Sequence, residues 1–315
     1  MEIAIQPAEQ QIMKWVDTYI PERDLFFLAE NDLPFYQDYL SGILLFPSKE
    51  FFNHSSYSNI EMVNSYMYWT ISKDAQFVIV APPSWIESLP SVKKEMLFKR
   101  QHELGRGLLC SLSMVSDKNS IPQDYIVEVN DEQIVALQKA MWTNLPYSTK
   151  EEIVCKTARE YDEWTAEQAP ANLPSHLVAY ANSFATLHGA NCLAAVLYAI
   201  SSEPARDEWI IKEWVHDQTF ALTLQQADYN MTDSPFQETD VIVWIDEQDI
   251  IQHAAYCIDG KHFFNKNGQT CFNPWKIVDW ANLSNEWNRF THRIYRKEQK
   301  TSVKYQHYSV SGNNI

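Results

Sequence analysis

Three β-rich runs follow one another closely near the C-terminal end: Asp240–Ile245 (DVIVWI), Ile251–Ile258 (IQHAAYCI) and His262–Asn265 (HFFN). Branched and aromatic residues at this density suit a pleated, half-buried surface, and connections this short allow only antiparallel pairing. The chain before them reads as helix: Cys192–Ile200 is apolar throughout, and 207–229 carries Trp209, Trp214 and Phe220. A helix over 274–287 and a last strand over 290–295 follow. Helices first and an antiparallel sheet afterwards predict an α+β domain.

The N-terminal half is mixed. Residues 7–20 place Ile12, Trp15, Val16 and Tyr19 at helical spacing. Residues 63–71 and 76–81 predict two strands, 91–115 a helix crossing Gly105 and Gly107, 125–129 a strand, and 131–142 an amphipathic helix. The stretch Arg100–Leu108 (RQHELGRGL) has a glycine pattern like the pyrophosphate loop of acetyltransferases, but its Gln and Arg spacing does not fit, so it reads as a helix end or kink. Residues 143–149 read as a boundary, leading into Ser148-x-x-Glu151, a capping box that opens a helix to about 168. A length of 315 residues suggests about two domains. The expected division is 1–145, mixed α/β, and 146–315.

Charge narrows the partners. With 25 Lys+Arg against 41 Asp+Glu, the net charge of -16 leaves no basic stripe for a phosphate backbone, so neither nucleic acid nor an anionic membrane is expected. The longest uncharged apolar run near the centre, Cys192–Ile200, falls well short of the roughly 20 residues a membrane span needs. The N-terminus lacks a basic start, an apolar run and a small-residue cleavage site, so a cytoplasmic location is expected. Five scattered cysteines read as reduced thiols.

One of them stands out. Asn191 is a good N-cap for the helix that follows, which puts Cys192 in its first turn, where unpaired N–H groups and the helix dipole favour a thiolate and can bind an oxyanion. Alone, Cys192 reads as readily as a small buried hydrophobe. The downstream hairpin adds a base. A three-residue loop Ile258-Asp259-Gly260 would set Cys257 opposite Lys261, Ala255 opposite Phe263 and His253 opposite Asn265, whose carboxamide would then orient the imidazole. A two-residue turn at Asp259-Gly260 would pair His253 with Lys266 instead and turn Asn265 to the other face. A metal site from His253, Cys257, His262 and Cys271 has no C-x-x-C pair behind it, so neither metal nor cofactor is expected. His188, four residues before Cys192, reads as an exposed loop residue. The tryptophans of this half read as core.

These residues resemble the NlpC/p60 family of papain-like cysteine peptidases and amidases. Tyr180, Gly189, Cys192, His253 and Asn265 fall at that family's spacings, and Asp240 opens a similar strand. The likeness covers about residues 170–295. The chain departs from the pattern at Asn191-Cys192-Leu193-Ala194, at Ser183-Phe184 and before Asp240. The resemblance implies a papain-like fold for 146–315, Cys192 as nucleophile, His253 as base, Asn265 as its orienter and Tyr180 beside the Cys192 backbone N–H at the oxyanion. It implies an amidase or peptidase working through an acyl-enzyme on a peptide or small amide, cell-wall-derived peptides included. Two alternatives are an acyltransferase with the same centre and a binding module that has lost catalysis.

Overall fold

A computed structural model describes residues 1–57 and 70–298 of the chain. The N-terminal part starts with strand β1 (Glu2–Ala4) and helix α1 (Glu9–Thr18), then strands β2 (Asp24–Leu28), β3 (Leu44–Pro47) and β4 (Phe77–Ala81) and helix α2 (Ser91–Glu103). β2, β4 and β3 form an antiparallel sheet in that order. The strand expected over 63–71 lies, but for its last two residues, outside the described residues. Helix α2 stops at Glu103 rather than running to Val115. Gly105 takes a φ of +71°, and a β-carbon there would meet the Thr70 carbonyl oxygen at 2.1 Å, so the chain leaves the helix at a position only glycine fills.

A second antiparallel sheet, in the order β5, β7, β6, comes from β5 (Leu109–Ser111), β6 (Ile126–Val129) and β7 (Glu132–Ala136). The helix expected over 131–142 is therefore mostly strand. Asn130 (φ +51°) and Asp131 (φ +64°) are both left-handed and close a two-residue hairpin in which Val129 pairs with Glu132. Asn and Asp tolerate that conformation, which matches the twist of the flanking strands. Helix α3 (Tyr147–Tyr161) opens behind Pro146 with no side-chain cap, so the expected capping box is not formed. It ends where Asp162 turns to φ -161°, ψ 145°, and strand β8 (Thr165–Glu167) then pairs with β1.

The C-terminal part holds helix α4 (Cys192–Ala199), helix α5 (Asp217–Gln226), strands β9 (Tyr229–Thr232), β10 (Val241–Ile245), β11 (Ile251–Cys257), β12 (His262–Lys266) and β13 (Trp275–Asp279), helix α6 (Trp280–Glu286) and strand β14 (Thr291–Lys297). The six strands pair antiparallel throughout, in the order β13, β12, β11, β10, β14, β9. The long helix expected over 207–229 is broken into a 3₁₀ segment, Glu208–Lys212, and α5. The helix expected over 274–287 is half strand, and α6 begins where the Asp279 side chain accepts from the Asn282 N–H.

The sheet is covered on both faces. Ala254, Tyr256 and Phe264 join the main core with α4, while Trp244, Ala255, Cys257 and Phe263 pack with Leu283, Trp280 and Trp287. The main core is continuous from Ile5 to Ile277 and crosses the boundary expected near 145. At its centre Trp15 of α1 meets Phe272 and Phe184 edge-on, with ring centroids 5.0 and 5.6 Å away. Among the described residues no helix is long and apolar enough to cross a membrane. The architecture is α+β.

Candidate active site

The start of α4 is held by Asn191. Its Oδ1 accepts from the Ala194 N–H at 3.0 Å, capping the helix, and its Nδ2 donates to the Val215 carbonyl at 2.8 Å. The cap therefore also ties α4 to the segment bearing Trp214 and His216. Cys192, in the first turn, opens onto a cavity of about 260 Å³ lined also by Trp214, Gln252, His253, Gln269 and Trp287. Burial pushes the Cys192 thiol up to about 11, although the N–H groups of Ala254, Leu193 and Cys192 and the charge of Lys266 pull the other way. Desolvation outweighs the helix terminus here, so the resting group is a thiol rather than the expected thiolate.

Neither hairpin register expected from the sequence is the one formed. Tyr256 pairs with Phe264 and Cys257 with Phe263, and the Ile258 N–H bonds the His262 carbonyl at 2.8 Å, so the loop is Asp259-Gly260-Lys261. The Asp259 carboxylate explains the difference. It accepts from the N–H groups of Lys261 (3.0 Å) and His262 (2.8 Å) and contacts His262 Nδ1, drawing Lys261 into the turn, while Gly260 takes the left-handed conformation at φ +78°. The shift from the expected three-residue loop is two residues, an even number, so every side chain keeps its face. His253 and Asn265 become diagonal neighbours, a spacing that long side chains bridge. His253 Nε2 and Asn265 Oδ1 are 2.6 Å apart. A carboxamide oxygen only accepts, so the proton sits on Nε2 and Nδ1 keeps its lone pair.

Both groups of that bond are 1% exposed. Burial lowers the His253 pKa to about 3 against the opposing bond from Asn265, so the ring is neutral. The indole of Trp287 lies flat on it, with centroids 4.1 Å apart and planes within 4°. His253 thus stands on the α6 face of the sheet, and Cys192 approaches from the α4 side, where the Ala254 N–H meets its sulfur. A bulge between Trp244 and Ile245 re-aims this end of β11. Thiol and ring line one cavity, and among the described residues no hydrogen bond joins them.

Tyr180 is not part of this cavity. Its hydroxyl donates to Glu208 Oε1 at 2.6 Å, and its ring packs against Tyr198 and Trp275 beside a separate cavity of about 470 Å³. That bond commits the phenol proton to Glu208 instead of the oxyanion role expected for it. His188 is half-buried rather than loop-exposed. Its Nε2 lies 3.6 Å from Cys271 Sγ, and burial lowers its pKa to about 4. The residues weighed as a metal set go to separate protein partners: His253 to Asn265, His262 to Asp259, Cys271 to His188, and Cys257 to the Gly260 N–H.

Sequence reasoning also missed Lys266. It is fully buried between the Thr270 and Asn273 carbonyls (3.0 and 2.6 Å), and burial lowers its pKa to about 8. It stands where the β-rich run His262–Asn265 gives way to Asn267-Gly268, a position that gave no sign of burial. In comparisons with known proteins, no family model, curated protein or solved structure matched the chain.

Proposed function

We propose that the chain is a cysteine-dependent amidase or peptidase of papain-like arrangement in its C-terminal half, working through an acyl-enzyme at Cys192. The observation carrying this reading is the 2.6 Å bond from His253 Nε2 to Asn265 in the wall of the cavity that Cys192 opens onto, which leaves Nδ1 as a base. In the first step Cys192 Sγ bonds to the substrate carbonyl carbon, and the thiol proton passes to His253 Nδ1. The C–N bond then breaks and the same proton goes to the leaving amine. Water attacks the thioester with His253 as base, releasing the acid and restoring the thiol. The N–H groups of Cys192 and Leu193 at the start of α4, which face the thiol in the resting site, serve the oxyanion in place of Tyr180. Because thiol and imidazole both rest neutral, proton transfer accompanies attack rather than preceding it. Closure of the gap between them accompanies substrate binding.

The absence of a Cys192–His253 hydrogen bond among the described residues favours a second reading, a binding module on the same scaffold. An activated ester separates the two. Incubation with p-nitrophenyl acetate should acetylate Cys192 ahead of the other thiols, with His253→Ala slowing acylation about 10²-fold. Acetylation that ignores Cys192, or that proceeds equally in the His253 variant, would favour the binding module.

A further inference from the structure

The hydrogen bonds do not stop at Asn265. Its Nδ2 donates to Asn267 Oδ1 at 2.8 Å, and Asn267 Nδ2 donates to Glu286 Oε1 at 2.6 Å. Each carboxamide carries both a donor and an acceptor, so either one, taken alone, fits both ways round. An ionised carboxylate only accepts, and although burial raises the Glu286 pKa, the Asn267 donor and the Lys276 charge favour its ionised form. The direction of the whole chain is therefore set at its outer end. Asn267 must turn its NH₂ to Glu286, which leaves its oxygen facing Asn265. Asn265 must then give its own NH₂ to that oxygen and its own oxygen to His253.

We infer that Glu286 is a positioning residue that fixes the Nε2–H tautomer of His253 through Asn267 and Asn265. The inference rests on the reading of His253 as a base, because only the tautomer with a free Nδ1 accepts the thiol proton. Two further observations support it. Asn265 is 1% exposed, so its amide has no water to turn to and reverses only if its neighbours reverse with it. Glu286 is the last residue of α6, and the next residue, Trp287, is the indole stacked on the His253 ring at 4.1 Å. One helix end thus sets both the plane of the imidazole and the nitrogen that carries its proton.

Glu286 is exposed, so its side chain can be exchanged without opening the core. The test is ¹⁵N NMR of the His253 ring at neutral pH, read together with the alkylation rate of Cys192, in the wild type, Glu286→Gln and Glu286→Lys. Gln keeps the shape but can offer either an oxygen or an NH₂ to Asn267, so the Nε2–H tautomer is no longer imposed: a mixture with the Nδ1–H form and an alkylation rate between those of wild type and the Lys variant are expected, while an unchanged melting temperature reports that the fold is intact. Lys offers only donors, so the chain should reverse. Asn265 would then present its NH₂ to Nε2, the proton would move to Nδ1, and alkylation would slow by about tenfold or more. A Glu286→Lys protein that keeps the Nε2–H tautomer overturns the inference. Failure of the broader reading looks different: with the tautomer reversing as described but His253→Ala alkylating as fast as wild type, Glu286 still orients the ring and the ring is not the base.

Discussion

At His253, burial and hydrogen bonding pull against each other, and burial wins. This has a consequence for stability. The unfolded chain takes up a proton at this residue near pH 6.5, whereas the folded protein does so only near 3. Across that window the unfolded state holds more protons, so stability falls as the pH drops from 6.5 toward 3. His188, lowered to about 4, acts in the same direction. Each contributes a slope of at most about 1.4 kcal/mol per pH unit. A His253→Gln variant should therefore lose melting temperature less steeply than wild type between about pH 6 and 4; parallel curves would count against a neutral buried ring. Spacing made the candidate residues legible at this scale, because Cys192 follows a capping Asn191 and His253 and Asn265 flank a turn. It did not reveal where Tyr180 points, since Glu208, distant along the chain, captures its hydroxyl. Nor did it reveal Asn267 and Glu286, which meet only once α6 is folded against β12.

Among the elements, the sheet around the site was readable as three β-rich runs, while its register was not. The register depends on one side chain, Asp259, reaching over the turn to two backbone N–H groups. The helix expected over 131–142 failed for a different reason: Ile134, Val135, Leu137 and Met141 satisfy helical spacing about as well as strand alternation. The Asn130-Asp131 pair was the signal that should have decided it. Asn191 carries the prediction that belongs here, since it caps α4 and bonds Val215 at once. Replacing it with Ala should lower unfolding stability by about 1–3 kcal/mol, seen as an earlier urea midpoint with an unchanged slope. An unmoved midpoint would mean that the cap does not hold the helix start.

For the whole molecule, composition and hydrophobic pattern pointed to α+β, but a two-domain division near 145 gave no hint of how far the core extends. Strand β1 pairs with β8, and Trp15 fills a socket made by Trp164, Phe184 and Phe272. Such long-range packing leaves no composition break to read. A fragment beginning at residue 146 would expose that socket, and it should show no cooperative thermal transition. Trp15→Ala in the full chain should destabilise by about 3–5 kcal/mol. A fragment that melts cooperatively, with Cys192 as reactive as in the intact protein, would show that the two halves are independent.

The central claim is that His253 activates Cys192, and the alkylation of five thiols tests it most directly. Treated briefly with iodoacetamide near neutral pH and mapped by peptide mass, the protein should label Cys192 ahead of Cys155, the other part-exposed thiol, and of buried Cys110, Cys257 and Cys271. In His253→Ala that lead should shrink by about tenfold or more. A Cys192 that labels no faster than Cys155, or equally fast without the imidazole, would contradict the account.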